Sequence, residues 1–599
     1  MKRRTLQRFA RALPLLSIFL LAASLTAVFC GCSGSGSGTG TGETGSDTLA
    51  EDTEPVELSF DFVADGEPVP VVYPYGCSSE VLASAREIAK ALGRVCGVEF
   101  TTVSDAVKDP GADTPEVLVG LTSRAESLEA AASMRSRDFF YGIRGKKYLV
   151  VATSSSAISS ASGGFVELML QKSRGGESLT LTSAEDRTFN FSNYPFSSFS
   201  ICGADVSSAE LLYIRSAPYS AERYARLFGQ WMTEKGGYLM QAEVAPYSET
   251  HTAIVFGGSA EVADDHGFRL DVSGGVLTVS ASCMHGYEAA YSYLTGTLLK
   301  GDVVLEEGFS YSSSAADVPD YYDGRDGEYR IIFNNILGNC DTSVYPVPTR
   351  NRMISELHSE CLPDVIGLQE CSGNSRGASS YISAMSKAGY VEVSVEVTNK
   401  NKVNYTPLIY RKDRLTVVES GYHLYNDGEG DQSKSITWAV FRANNGDLFA
   451  VMSTHFAYKS DEGGAQGRLA DAQQIRDLAA TVTKKHGCPV IIGGDLNCNI
   501  SSDPYAILTS GGFADVFGLA AKAEDLRTHH SYPEFNTALG LYDKKTMPSG
   551  KYSAAIDHAL VMSGDTLDFR RFEVITDDYA LLSTDHCPLL VDFGFKSVG

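Results

Sequence analysis

Although the chain holds 12 cysteines in 599 residues, it has no CxxC pair and no paired histidine spacing of a zinc module. It also lacks a basic excess. The formal net charge is −24 and the pI is near 4.9, which argues against a protein whose main task is to hold a polyanion. Beyond the N-terminus, no run approaches the roughly 20 apolar residues that a bilayer span needs. Export would permit disulfides, but the cysteines outside the leader are scattered and no pairing follows from them, so they read as buried small apolar residues. The chain is too long for one compact core, and ordinary domain sizes give roughly three or four units.

The N-terminus has a basic start, an apolar stretch over about 13–29, then FCGC and a Gly/Ser/Thr tract. This pattern is an export signal followed by a flexible linker. FCGC resembles a bacterial lipobox, whose cysteine is acylated after cleavage. Cys32, preceded by the small Gly31, is the expected lipidation site, with Cys30 second. Ordinary cleavage and an uncleaved membrane helix are the alternatives. The expectation is a cell-envelope lipoprotein, extracytoplasmic and held to a membrane by its N-terminal anchor.

The N-terminal half repeats itself. VVYPYGCSSEVLASAREIAKAL and LLYIRSAPYSAERYARLFGQWM each run from a short apolar strand through a Ser-containing turn into an amphipathic helix. EVLVG and AIVFGG follow, each an apolar strand stopped by glycine. Then come the hairpins FYGIRGKKYLVVA and FRLDVSGGVLTVSA, and finally the helical segments GGFVELMLQ and HGYEAAYSYL. Two small α+β modules in tandem are expected. They show no cluster of His, Asp or Glu at ligand spacing, so an accessory role is expected of them. Their pattern resembles the α/β modules that precede catalytic domains in some bacterial glycoside hydrolases.

After a polar, breaker-rich linker, short apolar strands each end in a polar cluster. RIIFNNIL ends on Asn335, PDVIGLQE on Glu370, and LFAVMSTHF presents His455. PVIIGGDLN presents Asp495 and Asn497, AAIDHALVM Asp557, and STDHCPLLVDF Asp585 and His586. GGDLNCN alone reads as a turn. Six such strand ends together would let a packed sheet converge acidic, amide and imidazole groups at one edge. The order Asn, LQE, THF, GDLN, IDH, STDH resembles the endonuclease/exonuclease/phosphatase superfamily, which includes deoxyribonucleases, sphingomyelinases and inositol polyphosphate phosphatases. The resemblance implies a four-layered α/β sandwich, giving an α/β (α+β) chain with two tandem modules ahead of it. The boundaries read as 1–32 signal peptide, 33–54 linker, 55–198 and 199–312 modules, 313–328 linker, and 329–596 catalytic domain.

The resemblance further implies hydrolysis of phosphate esters through a metal-activated water, with Mg²⁺ as the ion and Mn²⁺ as its alternative. Glu370 would be the direct ligand, and Asn335 and Asp585 would help to position the ion or its waters. His586, oriented by Asp557, would be the general base, with Asp495 as the other candidate. Asn497 and His455 would donate to the phosphate oxygens. Two departures stand out: Asn404 occupies the place where nucleases of the family often carry a Glu that pairs with the first histidine, and Thr584 replaces a serine in STDHCP. His529 and His530, between two motifs in residues 527–554, read as part of an exposed polar loop beside the site. The acidic charge favours a lipid headgroup, sugar phosphate or nucleotide over nucleic acid as substrate. The alternatives are an extracellular nuclease, or a silent surface protein whose modules engage glycans or envelope polymers.

Overall fold

The computed structural model describes residues 57–245, 252–262, 266–313, 325–372, 377–397, 404–426 and 433–596. Cys32 and the leader lie outside them. Among the described residues, no helix is long and apolar enough to cross a membrane, and no cysteine is paired. Of the ten cysteines, six are buried, Cys77, Cys96 and Cys340 are intermediate, and Cys202 is exposed.

The first module is built from β1 (Val71–Tyr73), α1 (Ser79–Cys96), β2 (Thr102–Ser104), β3 (Glu116–Val119), β4 (Phe139–Arg144), β5 (Lys147–Ala152), α2 (Ser155–Gly175) and β6 (Arg187–Phe189). The second comprises β7 (Glu210–Tyr213), α3 (Tyr219–Trp231), β8 (Ala242–Val244), β9 (Ala253–Gly258), β10 (Phe268–Ser273), β11 (Val276–Ala281), α4 (Met284–Tyr293) and β12 (Ser310–Ser312). Their sheets run β6-β4-β5-β3-β1-β2 and β12-β10-β11-β9-β7-β8. The strand orders are identical, as the sequence repeat predicts.

Two further sheets follow. Sheet A takes β13 (Tyr329–Asn335), β14 (Val365–Gln369), β15 (Tyr390–Glu392), β16 (Leu408–Arg411), β22 (Lys522–Ala523), β24 (Leu567–Val574) and β25 (Leu589–Phe595), in the order β15-β16-β14-β13-β25-β24-β22. Sheet B takes β17 (Leu415–Leu424), β18 (Ser435–Ala443), β19 (Leu448–His455), β20 (Val490–Asp495), β21 (Phe513–Asp515) and β23 (Asp557–Met562), in the order β17-β18-β19-β20-β23-β21. Alternation sends Ile331 and Phe333 inward against Val451, Ile491 and Val561 of the facing sheet. Ile354 of α5 (Val347–Cys361) and Tyr381 of α6 (Ser379–Lys387) cover the outside of sheet A, and Ile475, Ala479 and Val482 of α7 (Glu462–His486) cover sheet B. The result is the expected four layers.

The glycines of GGDLNCN act differently from one another. A Cβ on Gly493 would stand 2.3 Å from the Phe333 ring, so it lets the sheets approach closely, whereas Gly494 has φ +132° beside the Thr454 carbonyl. Gly493→Ala is expected to lower stability by about 1–3 kcal/mol through overpacking, read by urea unfolding.

The second module and the C-terminal domain share one apolar cluster, in which Tyr224, Phe228 and Tyr287 join Met353, Leu357, Tyr542 and Tyr579. Helix α5 supplies carboxylates to the module's buried helix starts. Glu356 accepts from the backbone of Tyr219 and Ser220 at the start of α3, and Glu360 accepts from Met284 N at 2.8 Å at the start of α4. The N-terminal peptide dipoles favour an anion at both places.

Candidate active site

Register places the chemistry in one row. His455, Asp495 and Asp557 are cross-strand neighbours at the ends of β19, β20 and β23. Asn335 ends β13 opposite Gln369 of β14, and Glu370 follows. Glu370 holds φ +60°, a left-handed conformation that costs a non-glycine residue about 1–2 kcal/mol. It thus leaves the strand just where the row forms.

Asn335 Nδ2 donates to Glu370 Oε1 at 3.2 Å and to Asp495 Oδ2 at 3.1 Å, joining two carboxylates through a neutral amide. Glu370, His455 and Asp495 each offer a ligand atom, all within 4.8 Å of one another. Burial pushes the Asp495 carboxyl up to about 7, against the pull of His586. A buried carboxylate held to another by an amide alone, with an imidazole alongside, is a donor set that accepts a hard divalent ion. Asp585 is not among the residues of this grouping, and its charge acts on the neighbouring His586. Its carboxylate takes a 3.5 Å contact from Thr584 Oγ1, and its carbonyl accepts from His530 N.

His586 Nδ1 donates to Asp557 Oδ2 at 2.9 Å, and its Nε2 stands 3.8 Å from Asp495 Oδ2. Burial opposes the imidazolium, but Asp557, Asp585 and Asp495 outweigh it, so His586 is held well above its ordinary pKa. The Asp557 carboxyl is correspondingly lowered despite its burial. His455 is held the other way: burial first, then the cations Lys434 and His586, keep its ring neutral. Lys434 Nζ stands 2.8 Å from His455 Nε2, and Asn404 Oδ1 lies 3.4 Å from Nδ1. The neutral Asn404 therefore sits beside the first histidine, and buried Lys434 is the charge that tunes it. Asn497 is anchored through one amide hydrogen, its Nδ2 donating to Phe456 O at 3.1 Å, and through its N to Asp495 Oδ1 at 2.9 Å, which leaves the second hydrogen of its half-buried amide for a ligand.

Several supporting residues carry no sequence signal. His558, kept neutral by burial, donates from Nε2 to Cys498 O at 2.8 Å and so pins the turn after Asp495. Fully buried Arg350 donates to the carbonyls of Ile336, Leu337, Cys340 and Ser583. It locks the loop after Asn335 to the one before Asp585. Thr584 keeps the hydroxyl function of the serine it replaces, donating to Asn335 O at 2.8 Å.

Residues 527–530 form part of the site, not an exposed polar loop. His529 pairs in a backbone bridge with His586, and both it and His530 are partly buried. Burial and the neighbouring Arg527 lower His529 to about 4. Buried Thr528 donates to Asp557 Oδ2 at 2.7 Å, completing a hydroxyl–carboxylate–imidazole relay. Thr528→Val is expected to lower kcat by about 10–100-fold, the worth of one hydrogen bond to a charged group, and to shift the pH profile while leaving KM nearly unchanged. Steady-state kinetics across pH reads both.

No curated protein matches the chain. Solved structures similar to it include an endonuclease/exonuclease/phosphatase family protein from Bacteroides thetaiotaomicron, at 19% identity over 45% of this chain and 96% of that one with a TM-score of 0.37. A mannosyl-6-phosphatase from the same organism is similar at 19% identity over 45% and 100%, TM-score 0.37. The human Nocturnin catalytic domain with bound sulfate is similar at 17% identity over 46% and 97%, TM-score 0.35. From the asparagine that joins the two carboxylates to the histidine of the dyad, it is to the Endonuclease/Exonuclease/phosphatase family that residues 335–586 of the C-terminal domain are matched.

Proposed function

We propose that the chain is an exported, divalent-metal-dependent hydrolase of phosphate esters, with Mg²⁺ or Mn²⁺ as the ion. The observation that carries this reading is the meeting of Asn335, Glu370 and His586, at the strand ends of sheet A, with His455, Asp495 and Asp557 of sheet B, at a single edge. Glu370 would hold the ion, with His455 and Asn335 at its margin and Asp495 beside it, free to act on the attacking water. A bound divalent ion supplies charge neutralisation and polarisation at the phosphoryl oxygens.

The chain's own groups then divide the proton work. His586, charged at neutral pH, donates a hydrogen bond to a phosphate oxygen or returns a proton to the leaving group. Asp495, raised by burial, receives the proton of the attacking water. Neutral His455 and the Lys434 ammonium bind the anionic ester from the other side. The net charge of −24 favours a small ester or lipid headgroup over duplex nucleic acid. Anchoring through Cys32 belongs to the same proposal, tested by radioactive palmitate labelling that Cys32→Ala abolishes.

The test uses bis-p-nitrophenyl phosphate, p-nitrophenyl phosphate, sphingomyelin and plasmid DNA, each with Mg²⁺ and with chelator, on wild type and Glu370→Ala. Turnover that needs metal and Glu370 supports the proposal. Absence of turnover across the panel in any divalent metal defeats the enzyme reading, and activity that survives both chelation and Glu370→Ala defeats the metal assignment.

A further inference from the structure

A second cluster of histidine, cysteine and glutamate side chains lies at the junction of the second module with the C-terminal domain. Cys283 immediately precedes α4, where its side chain caps nothing, and His285 lies in the first turn of that helix. Both are buried, at 8% and 1% exposure. His266 comes just ahead of β10, its ring 5.8 Å from that of His285 and almost perpendicular to it. Glu360 reaches across from α5. One of its oxygens accepts from Met284 N at 2.8 Å, and the other lies 2.6 Å from His285 Nδ1. Each of the four residues offers one ligand atom, and these atoms all fall within 4.8 Å of one another.

We propose that His266, Cys283, His285 and Glu360 form a structural zinc-class site that fastens the second module to the catalytic domain. Two imidazoles, a thiolate and a carboxylate are a borderline-soft set, suited to Zn²⁺ and ill-suited to Mg²⁺. Zinc bonds of about 2.0–2.3 Å place tetrahedral ligand atoms about 3.3–3.8 Å apart, so the observed grouping closes around an ion with small side-chain movements. The 2.6 Å approach of His285 to Glu360 opens as the ion enters between them. Four protein ligands leave no open position, which makes the site structural and not catalytic.

An entry path exists: Cys283 and Glu360 line a cavity of about 950 Å³ between the two domains. Three ligands come from the module and one from α5. The ion therefore bridges the start of α4 to the helix that already caps it. The ligands are scattered over two domains, so no short spacing announces the site in the sequence.

The experiment uses the full chain carrying Glu370→Ala, which removes the principal ligand of the active-site ion. Zinc content is measured after exhaustive dialysis, and Co²⁺ is then titrated into the metal-stripped protein. The expected results are one retained equivalent of zinc, a near-ultraviolet thiolate-to-cobalt charge-transfer band, and a melting temperature that rises with zinc. All three are lost when Cys283→Ser is added, and the zinc-dependent rise is reduced by Glu360→Gln. A folded parent without the thiolate-to-cobalt band overturns the proposal, as does zinc content that Cys283→Ser leaves unchanged. The four groups would then hold only a proton between His285 and Glu360. The cobalt spectrum of the parent needs no second variant, so a poorly folding substitution leaves the test intact.

Discussion

Asp495→Asn is expected to lower kcat by about 10²–10⁴-fold on whichever phosphate ester the chain hydrolyses, the range for removing a general acid–base group. Asp495 is the residue common to both groupings at the strand edge: one with Glu370 and His455, the other with Asp557 and His586. The asparagine keeps the size but not the basicity, and it turns one acceptor into a donor facing the Asn335 amide, which already donates at 3.1 Å. Stability should move the other way. Burial raises the folded pKa of Asp495 to about 7, above the roughly 3.9 of an unfolded aspartate. The folded metal-free chain therefore binds more protons between those values, and its stability falls as pH rises from about 4 through 7. In chelator at pH 8, Asp495→Asn should melt at or above wild type. Activity within threefold of wild type in the folded variant would remove Asp495 from the chemistry.

The largest effect on stability is expected from Asp592→Ala, at about 3–5 kcal/mol. Arg330 of β13 donates from Nε and Nη2 to the two oxygens of Asp592 on β25, each at 2.7 Å, and from Nη1 to Cys361 O at 2.8 Å. Both side chains are almost fully buried, at 3% and 0% exposure. Removing the carboxylate strands a guanidinium inside the sheet, and the cost is its desolvation more than the loss of one attraction. Leucine at both positions removes the stranded charge, so the double variant Arg330→Leu/Asp592→Leu should recover much of the loss in urea unfolding. A single variant within 1 kcal/mol of wild type would show that water reaches the pair.

Strand ends were legible because a strand presents its last residue at a place fixed by register, and register follows from alternation. Asn335, Glu370, His455, Asp495, Asp557 and His586 meet as that logic requires. The modules were legible for a related reason: the same order of apolar and polar runs appears twice, and the same strand order results. Side-chain direction was not legible. Asp585 precedes the dyad histidine in sequence, yet it is not part of the grouping of Glu370, His455 and Asp495. Asn497 gives one amide hydrogen to the Phe456 carbonyl, where φ +49° turns the chain back on itself. Lys434, Arg350 and Thr528 carry no pattern in the sequence because each acts through contacts made by chain folding: Lys434 on His455, Arg350 on four carbonyls, Thr528 on Asp557.

The loop that carries Thr528 and His529 continues into a hairpin whose far end rests on the second module. Arg223 and Arg226 of α3 donate to the carbonyls of Tyr542 and Leu539, and Phe535, Leu541 and Tyr542 belong to the apolar cluster shared with that module. The hydrolytic domain is thus unsuited to excision. A chain begun at residue 329 would lay bare the outer face of α5 and release the hairpin, and the dyad would lose its brace along with its neighbour. The N-terminal half is therefore no detachable passenger: one of its two repeats forms a wall of the enzyme's own scaffold.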